Sequence, residues 1–83
     1  MKILVVEDEK KIAGLIKRGL EEEEYEVTVT HDGDTGLKQA MEGDYKLVIL
    51  DLMLPKKDGL DVIKELREAC NLVPVLMLSL IHI

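Results

Sequence analysis

Three acidic side chains follow apolar stretches of the sequence directly, at positions where carboxylates can do chemistry. Glu7 and Asp8 come after the run Ile3–Val6, and Asp51 comes after the run Leu47–Leu50. Carboxylate oxygens are ligands that Mg²⁺ prefers, and a carboxylate beside a divalent cation can attack a phosphoryl donor as a nucleophile. We therefore predict that Glu7, Asp8 and Asp51 bind a metal together and that Asp51 also accepts a phosphoryl group.

The same acids have a purely structural interpretation, because acids after strands often only cap the following helix. Glu9 fits that interpretation better than a functional one, and Glu7, Asp8 or Asp51 taken singly would leave the question open. Their joint occurrence favours a metal site. Ligands of open parallel sheets bind beyond the carboxyl ends of the strands, where the strand order reverses. Converging carboxylates repel one another, and a hard divalent cation relieves that repulsion.

The elements that would position these acids are short apolar runs separated by segments of helical period. Continuous aliphatic runs are typical of strands buried on both faces, whereas the alternating second run is typical of an edge strand. The four predicted strands are Ile3–Val6, Tyr25–Val29, Leu47–Leu50 and Val73–Leu78.

Three amphipathic helices are predicted between the strands. The first carries an apolar stripe at Ile12, Ile16 and Leu20, and the others cover Gly33–Met41 and Leu60–Ala69. We expect Asp32 or Asp34 to cap the second helix, Asp58 to cap the third and Asn71 to end it. The order βαβαβαβ predicts an α/β fold with a doubly wound parallel sheet, right-handed crossovers and helices on both faces.

Composition restricts the function further. The net charge of −6 argues against nucleic-acid binding by this segment, since phosphate contacts need clustered basic residues. One cysteine, Cys70, excludes an internal disulfide. The first apolar run is too short for a signal peptide, and no run approaches the ~18 residues that span a bilayer. His31 is predicted to be a loop residue outside any cluster.

Three motifs occur in order: ILVVEDE, VILDLMLPKKDGLDVIKELR and VPVLMLS. Together they resemble the receiver domain of two-component response regulators, over residues 1–79. The resemblance implies a flavodoxin-like receiver fold with strand order 2-1-3-4. The LDLMLP stretch is most similar to the subfamily that carries a winged-helix DNA-binding domain after the receiver.

The resemblance also implies a role for each matching residue. Asp51 stands at the phospho-acceptor position, and Glu7 and Asp8 match the acidic pair that holds Mg²⁺. Met53 stands where the family supplies a backbone carbonyl to the metal. Ser79 stands where a Ser or Thr hydroxyl contacts the phosphoryl group, although its place beside the atypical last residues weakens that assignment.

The family pattern continues beyond what this chain contains. A fifth strand ending in a phosphoryl-contacting Lys and the last two helices are missing, and Lys56 and Lys57 lie in a different loop, where we expect them to be solvated. Residues 80–83 depart from the family pattern and are expected to be a non-native tail. The letters of Leu78–Ile83 match a translated transposon-adapter sequence, which the underlying nucleotides would reveal.

The resemblance implies a cytoplasmic, phosphorylation-dependent switch whose partner is a sensor histidine kinase and which turns over no external substrate. DNA would be contacted only through an absent C-terminal domain, no membrane is involved, and homodimers would require the longer protein. Two alternatives stay open. One is a Mg²⁺-dependent phosphatase with an aspartyl nucleophile, although Met53 replaces the second acid of such enzymes. The other is a receiver-like module that interacts without being phosphorylated.

Overall fold

The computed structural model describes residues 1–52, 54 and 57–78, and strands and helices alternate strictly along them. In chain order they are β1 (Lys2–Val6), α1 (Lys10–Glu22), β2 (Glu26–Thr30), α2 (Gly33–Glu42), β3 (Leu47–Asp51), α3 (Gly59–Glu68) and β4 (Val75–Leu78). The predicted order is confirmed. The predicted start of β4 was two residues too early, at Val73, whose carbonyl accepts a hydrogen bond from Arg67 instead.

All four strands are parallel, and they lie in the order β2-β1-β3-β4. This confirms the predicted doubly wound arrangement. The order reverses between β1 and β3, since β2 lies on one side of β1 and β3 on the other. In the register of the sheet, Val6 at the end of β1 is opposite both Thr30 of β2 and Leu50 of β3. The residues that follow these three therefore meet at one edge.

The helices cover the two faces of the sheet unequally. Helices α2 and α3 pack on one face. The cluster of buried residues between these helices and the sheet consists of Leu4, Val6, Ala40, Val48, Leu50, Val62 and Leu66. Helix α1 packs on the other face through Ile16 and Leu20, over the buried residues Ile3, Val5 and Ile49. Alternate residues of β1 and β3 thus enter different clusters, as the period of two along a strand requires.

Two of the helices begin at the predicted aspartates. The carboxylate of Asp32 accepts a hydrogen bond from the Thr35 N–H at 2.8 Å, and that of Asp58 accepts one from the Asp61 N–H at 3.0 Å. Each bond satisfies an N–H group that the first turn leaves without a helical partner. Of the two candidates for the α2 cap, the structure selects Asp32.

Helices α1 and α3 end in the same way, with a non-glycine residue in the left-handed region. Glu24 has φ 69° and Cys70 has φ 60°. After α3, the N–H groups of Cys70 and Asn71 donate to the carbonyls of Arg67 and Leu66, at 3.0 and 2.9 Å. This is the Schellman pattern of helix ends. Asn71 was expected to end the helix, but Cys70 takes the left-handed conformation, and the Asn71 side chain donates to Ala40 in α2.

The two edges of the described sheet differ in chemistry. Strand β2 alternates, with Glu26, Thr28 and Thr30 separated by Val27 and Val29, whereas β4 reads Val-Leu-Met-Leu and leaves Leu76 52% exposed. A polar edge resists pairing with other strands, whereas an apolar edge invites it. Within the described ranges, no helix combines the length and apolar character needed to cross a membrane.

Candidate metal centre

The carboxyl edge of the sheet brings the three predicted acids together. Glu7 and Asp8 follow β1 directly, Asp51 is the last residue of β3, and these strands are parallel neighbours. One carboxylate oxygen from each residue lies within 4.8 Å of the other two. The structure therefore places Glu7, Asp8 and Asp51 in one cluster, at the point where the strand order reverses. That is where ligands of doubly wound sheets bind.

Glu7 is the most constrained of the three acids, since its exposed fraction is only 1%. Its Oε1 atom accepts a hydrogen bond from the Glu9 N–H at 3.0 Å, but its Oε2 atom is buried with no hydrogen-bond partner. Burial raises the pKa of Glu7 to about 7, and the neighbouring carboxylates of Asp51 and Asp8 add to the rise. Carboxylates this close repel one another when ionised, and a shared proton or a bound cation would relieve that repulsion.

The chemistry of this donor set fits Mg²⁺. The orphaned Oε2 atom of Glu7 is an oxygen ligand without a partner, Asp51 is 7% exposed, and Asp8 lies exposed at the solvent side of the cluster. Mg²⁺ is bound by few protein carboxylates and keeps several waters, so a cluster with one exposed acid suits it. Thr30 Oγ1 is a second buried side-chain oxygen without a partner, but as a neutral hydroxyl it carries no charge to be balanced.

The backbone around Asp51 is held by close packing and by hydrogen bonds. A Cβ atom at Gly59 would lie 2.7 Å from the Asp51 carbonyl oxygen, which only glycine permits. The Gly59 N–H donates to the Leu52 carbonyl at 3.1 Å, and the Leu52 N–H donates to the Leu78 carbonyl at 3.2 Å. Strand β4 and the start of α3 thus hold the backbone of Asp51 from two sides.

His31 lies in a loop outside the acidic cluster, as predicted, but its imidazole contacts the main chain of Glu7. Its Nδ1 atom is 3.0 Å from the Glu7 carbonyl oxygen, across 24 positions of sequence. The signal that could have revealed this contact is the register of β1 and β2, which sets Thr30 opposite Val6 and therefore His31 beside Glu7.

Lys57 also differs from the prediction, because it is only partly solvated. Its side chain is 23% exposed and forms an ion pair with Glu65 of α3. The predicted roles of the Met53 carbonyl and the Ser79 hydroxyl fall outside the described residues. The same holds for Lys56, and for the tail over residues 80–83.

The fold and the cluster define a class of protein: a doubly wound α/β domain with a cluster of acidic residues at its topological switch point. The sequence model of the response regulator receiver domain matches residues 3–82. The chain belongs to that family. It is 49% identical, over 77 residues, to the transcriptional regulatory protein YkoG of Bacillus subtilis, covering 93% of this chain and 34% of the relative.

Solved structures agree with this assignment. The receiver domain of the Francisella response regulator 1452 is 38% identical with a TM-score of 0.91, covering 94% of this chain and 64% of that chain. The response regulator TrrA of Thermotoga maritima, in complex with Mg²⁺ and BeF, is 40% identical with a TM-score of 0.88, covering 94% and 68%. The chain thus spans about a third of the length of the curated relatives that it matches.

Proposed function

We propose that the protein is a phosphorylation-dependent signalling switch, which accepts a phosphoryl group on Asp51 in the presence of Mg²⁺. The observation that carries this proposal is the convergence of three carboxylate oxygens within 4.8 Å, one of them from a buried glutamate with an unpartnered oxygen. A structural cap would need neither the convergence nor the burial.

The geometry suggests a division of labour among the three acids. A bound Mg²⁺ would neutralise charge on the phosphoryl oxygens during transfer. Glu7, Asp8 and Asp51 would hold the cation, and an Asp51 carboxylate oxygen would attack phosphorus. For a phosphohistidine donor, the bond between the Asp51 oxygen and phosphorus forms as the nitrogen–phosphorus bond breaks. The donor nitrogen then takes up a proton. The Met53 carbonyl as a further metal ligand, and the Ser79 hydroxyl as a phosphoryl contact, belong to this proposal through the family resemblance alone.

Comparison with solved structures supports the choice of cation and donor. TrrA was crystallised with Mg²⁺ and BeF, and it was also crystallised with the histidine kinase ThkA, in a form to which this chain is 40% identical with a TM-score of 0.86. We infer that a sensor histidine kinase is the donor here. Since the transcriptional regulatory protein DltR of Streptococcus agalactiae is about three times as long as the match, we further propose that a DNA-binding domain is the output of the whole protein.

Phosphorylation by a small-molecule donor tests the proposal directly. We expect the protein, incubated with acetyl phosphate and Mg²⁺, to gain the mass of one phosphoryl group, and hydroxylamine to remove it, as it does from acyl phosphates. Asp51→Asn should abolish labelling. Asp44→Asn is the matched control, because Asp44 is an exposed aspartate outside the cluster, and this variant should label like the wild type. Chelation of Mg²⁺ should prevent labelling of both the wild type and Asp44→Asn.

Each alternative predicts a different outcome. A phosphatase would turn over a phosphomonoester continuously, in a reaction lost in Asp51→Ala, rather than stop after one equivalent. An interaction module that is not phosphorylated would bind its partner without any labelling of Asp51. Labelling that persists in Asp51→Asn would contradict the acceptor assignment.

A further inference from the structure

We propose that His31 is a positioning residue of the metal site: its imidazole holds the peptide that joins Glu7 to Asp8 and thereby sets the relative placement of these two ligands. This inference rests on the proposed function, because it takes the acidic cluster to be a cation site. It adds a residue outside the cluster, in the loop between β2 and α2.

The contact is a hydrogen bond with a defined direction. His31 Nδ1 lies 3.0 Å from the Glu7 carbonyl oxygen, and a carbonyl can only accept. The proton is therefore on Nδ1, and the imidazole donates. The Glu7 carbonyl and the Asp8 N–H belong to one planar peptide unit. A hydrogen bond to that oxygen therefore restrains the orientation of the peptide plane between Glu7 and Asp8, and with it the direction of the main chain at Asp8.

His31 completes a set of hydrogen bonds around one residue. The Glu7 N–H donates to the Thr30 carbonyl at 3.0 Å, and the Glu7 Oε1 atom accepts from the Glu9 N–H at 3.0 Å. Of the hydrogen bonds made by the Glu7 main chain, the one that its N–H donates to the Thr30 carbonyl continues the β1–β2 ladder and uses backbone atoms on both sides. The His31 bond is made by a side chain, so substitution can remove it while the ladder stays.

Groups that orient metal ligands from outside the coordination sphere usually change metal affinity about 10- to 100-fold when they are removed. The His31 bond is only partly buried, so water competes with it and the effect should be smaller. We expect His31→Ala to weaken Mg²⁺ binding about 3- to 10-fold.

A conservative variant separates the hydrogen bond from the rest of the imidazole. The side-chain amide nitrogen of Asn can occupy the place of Nδ1 in His, so His31→Asn should restore most of the affinity lost in His31→Ala. Thr35→Ala is the matched control, since it removes one side-chain hydrogen bond, from Thr35 Oγ1 to Asp32 at 3.1 Å, in the same segment without touching Glu7. It should leave Mg²⁺ affinity unchanged.

Calorimetric titration of the protein with MgCl₂ gives the affinities, and the amide ¹⁵N shift of Asp8 reports the bond to the preceding carbonyl without metal. We expect both the Mg²⁺ affinity and the Asp8 ¹⁵N shift to change in His31→Ala. Both should return to near the wild-type values in His31→Asn, and neither should change in Thr35→Ala. Equal Mg²⁺ affinity in all variants, with normal wild-type binding, would overturn the role of His31 and leave the metal site intact. No Mg²⁺ binding by the wild type would overturn the metal site and the His31 inference with it.

Discussion

The two faces of the sheet use alternate residues of the same strands, yet they are covered differently. On the face of α2 and α3, Leu50 is 0% exposed, whereas its neighbour Ile49, on the face of α1, is 6% exposed. The first cluster has seven buried members and the second has three. Because apolar burial dominates folding free energy, the α2–α3 face should carry most of the stability of the described domain.

The largest expected effect compares two adjacent residues of β3. Leu50→Ala should lower the free energy of unfolding by about 3–4 kcal/mol, since it leaves a cavity in the larger cluster. Ile49→Ala removes as many carbon atoms from the smaller cluster and should cost about 1 kcal/mol less. Urea unfolding of both variants measures the difference. An equal or larger loss in Ile49→Ala would contradict the inequality of the faces.

The second effect is a pH dependence of stability at Glu7, which lies at the carboxyl edge of the sheet, where both faces end. The folded-state pKa of Glu7 is about 7, above its ordinary value of 4.5, so the folded state binds more protons between these values. Without metal, its contribution to stability is complete below pH 4.5 and is lost as the pH rises through 7. The loss is at most about 3.5 kcal/mol, because each tenfold difference in proton affinity between the folded and unfolded states corresponds to about 1.4 kcal/mol.

Glu7→Gln provides the control for that pH dependence, because glutamine has nearly the same shape and does not titrate. The variant should lose this part of the pH profile and be more stable than the wild type at pH 8 in the absence of metal. Urea unfolding between pH 4 and pH 8, with chelator present, gives both curves. Superimposed profiles for the wild type and the variant would show that Glu7 is not the titrating group.

The smallest effect concerns the ends of α1 and α3, the helices on opposite faces. Glu24 and Cys70 both adopt positive φ without being glycine, which strains their backbones. Glu24→Gly and Cys70→Gly should each stabilise the fold by about 0.5–1 kcal/mol, measured by thermal unfolding. Ala69→Gly is the matched control, since Ala69 has φ −86° and gains nothing from glycine. This variant should be destabilised instead.

Much of the fold could be predicted because its signals are local. The apolar runs set the strands, Asp32 and Asp58 set two helix starts, and strict alternation of elements implies a parallel sheet. The convergence of Glu7, Asp8 and Asp51 followed from one further rule, that ligands gather where the strand order reverses.

The features that could not be predicted depend on side-chain reach across the fold. His31 contacts Glu7 only because β2 pairs with β1 in one particular register. Lys57 forms an ion pair with Glu65, and that contact depends on where α3 places the Glu65 side chain. The end of α3 was misassigned by one residue because Asn is the commoner residue at positive φ, whereas Cys70 occupies that position here.

Paramagnetic Mn²⁺ tests the central claim most directly, since it takes the same oxygen ligands as Mg²⁺ and broadens the NMR signals of nearby nuclei. We predict that low concentrations of MnCl₂ broaden the amide signals of Glu7, Asp8 and Asp51 first, and that excess MgCl₂ restores them. Earlier or equal broadening at the exposed acids of Glu21–Glu24, or broadening that Mg²⁺ does not reverse, would contradict a shared cation site at the ends of β1 and β3.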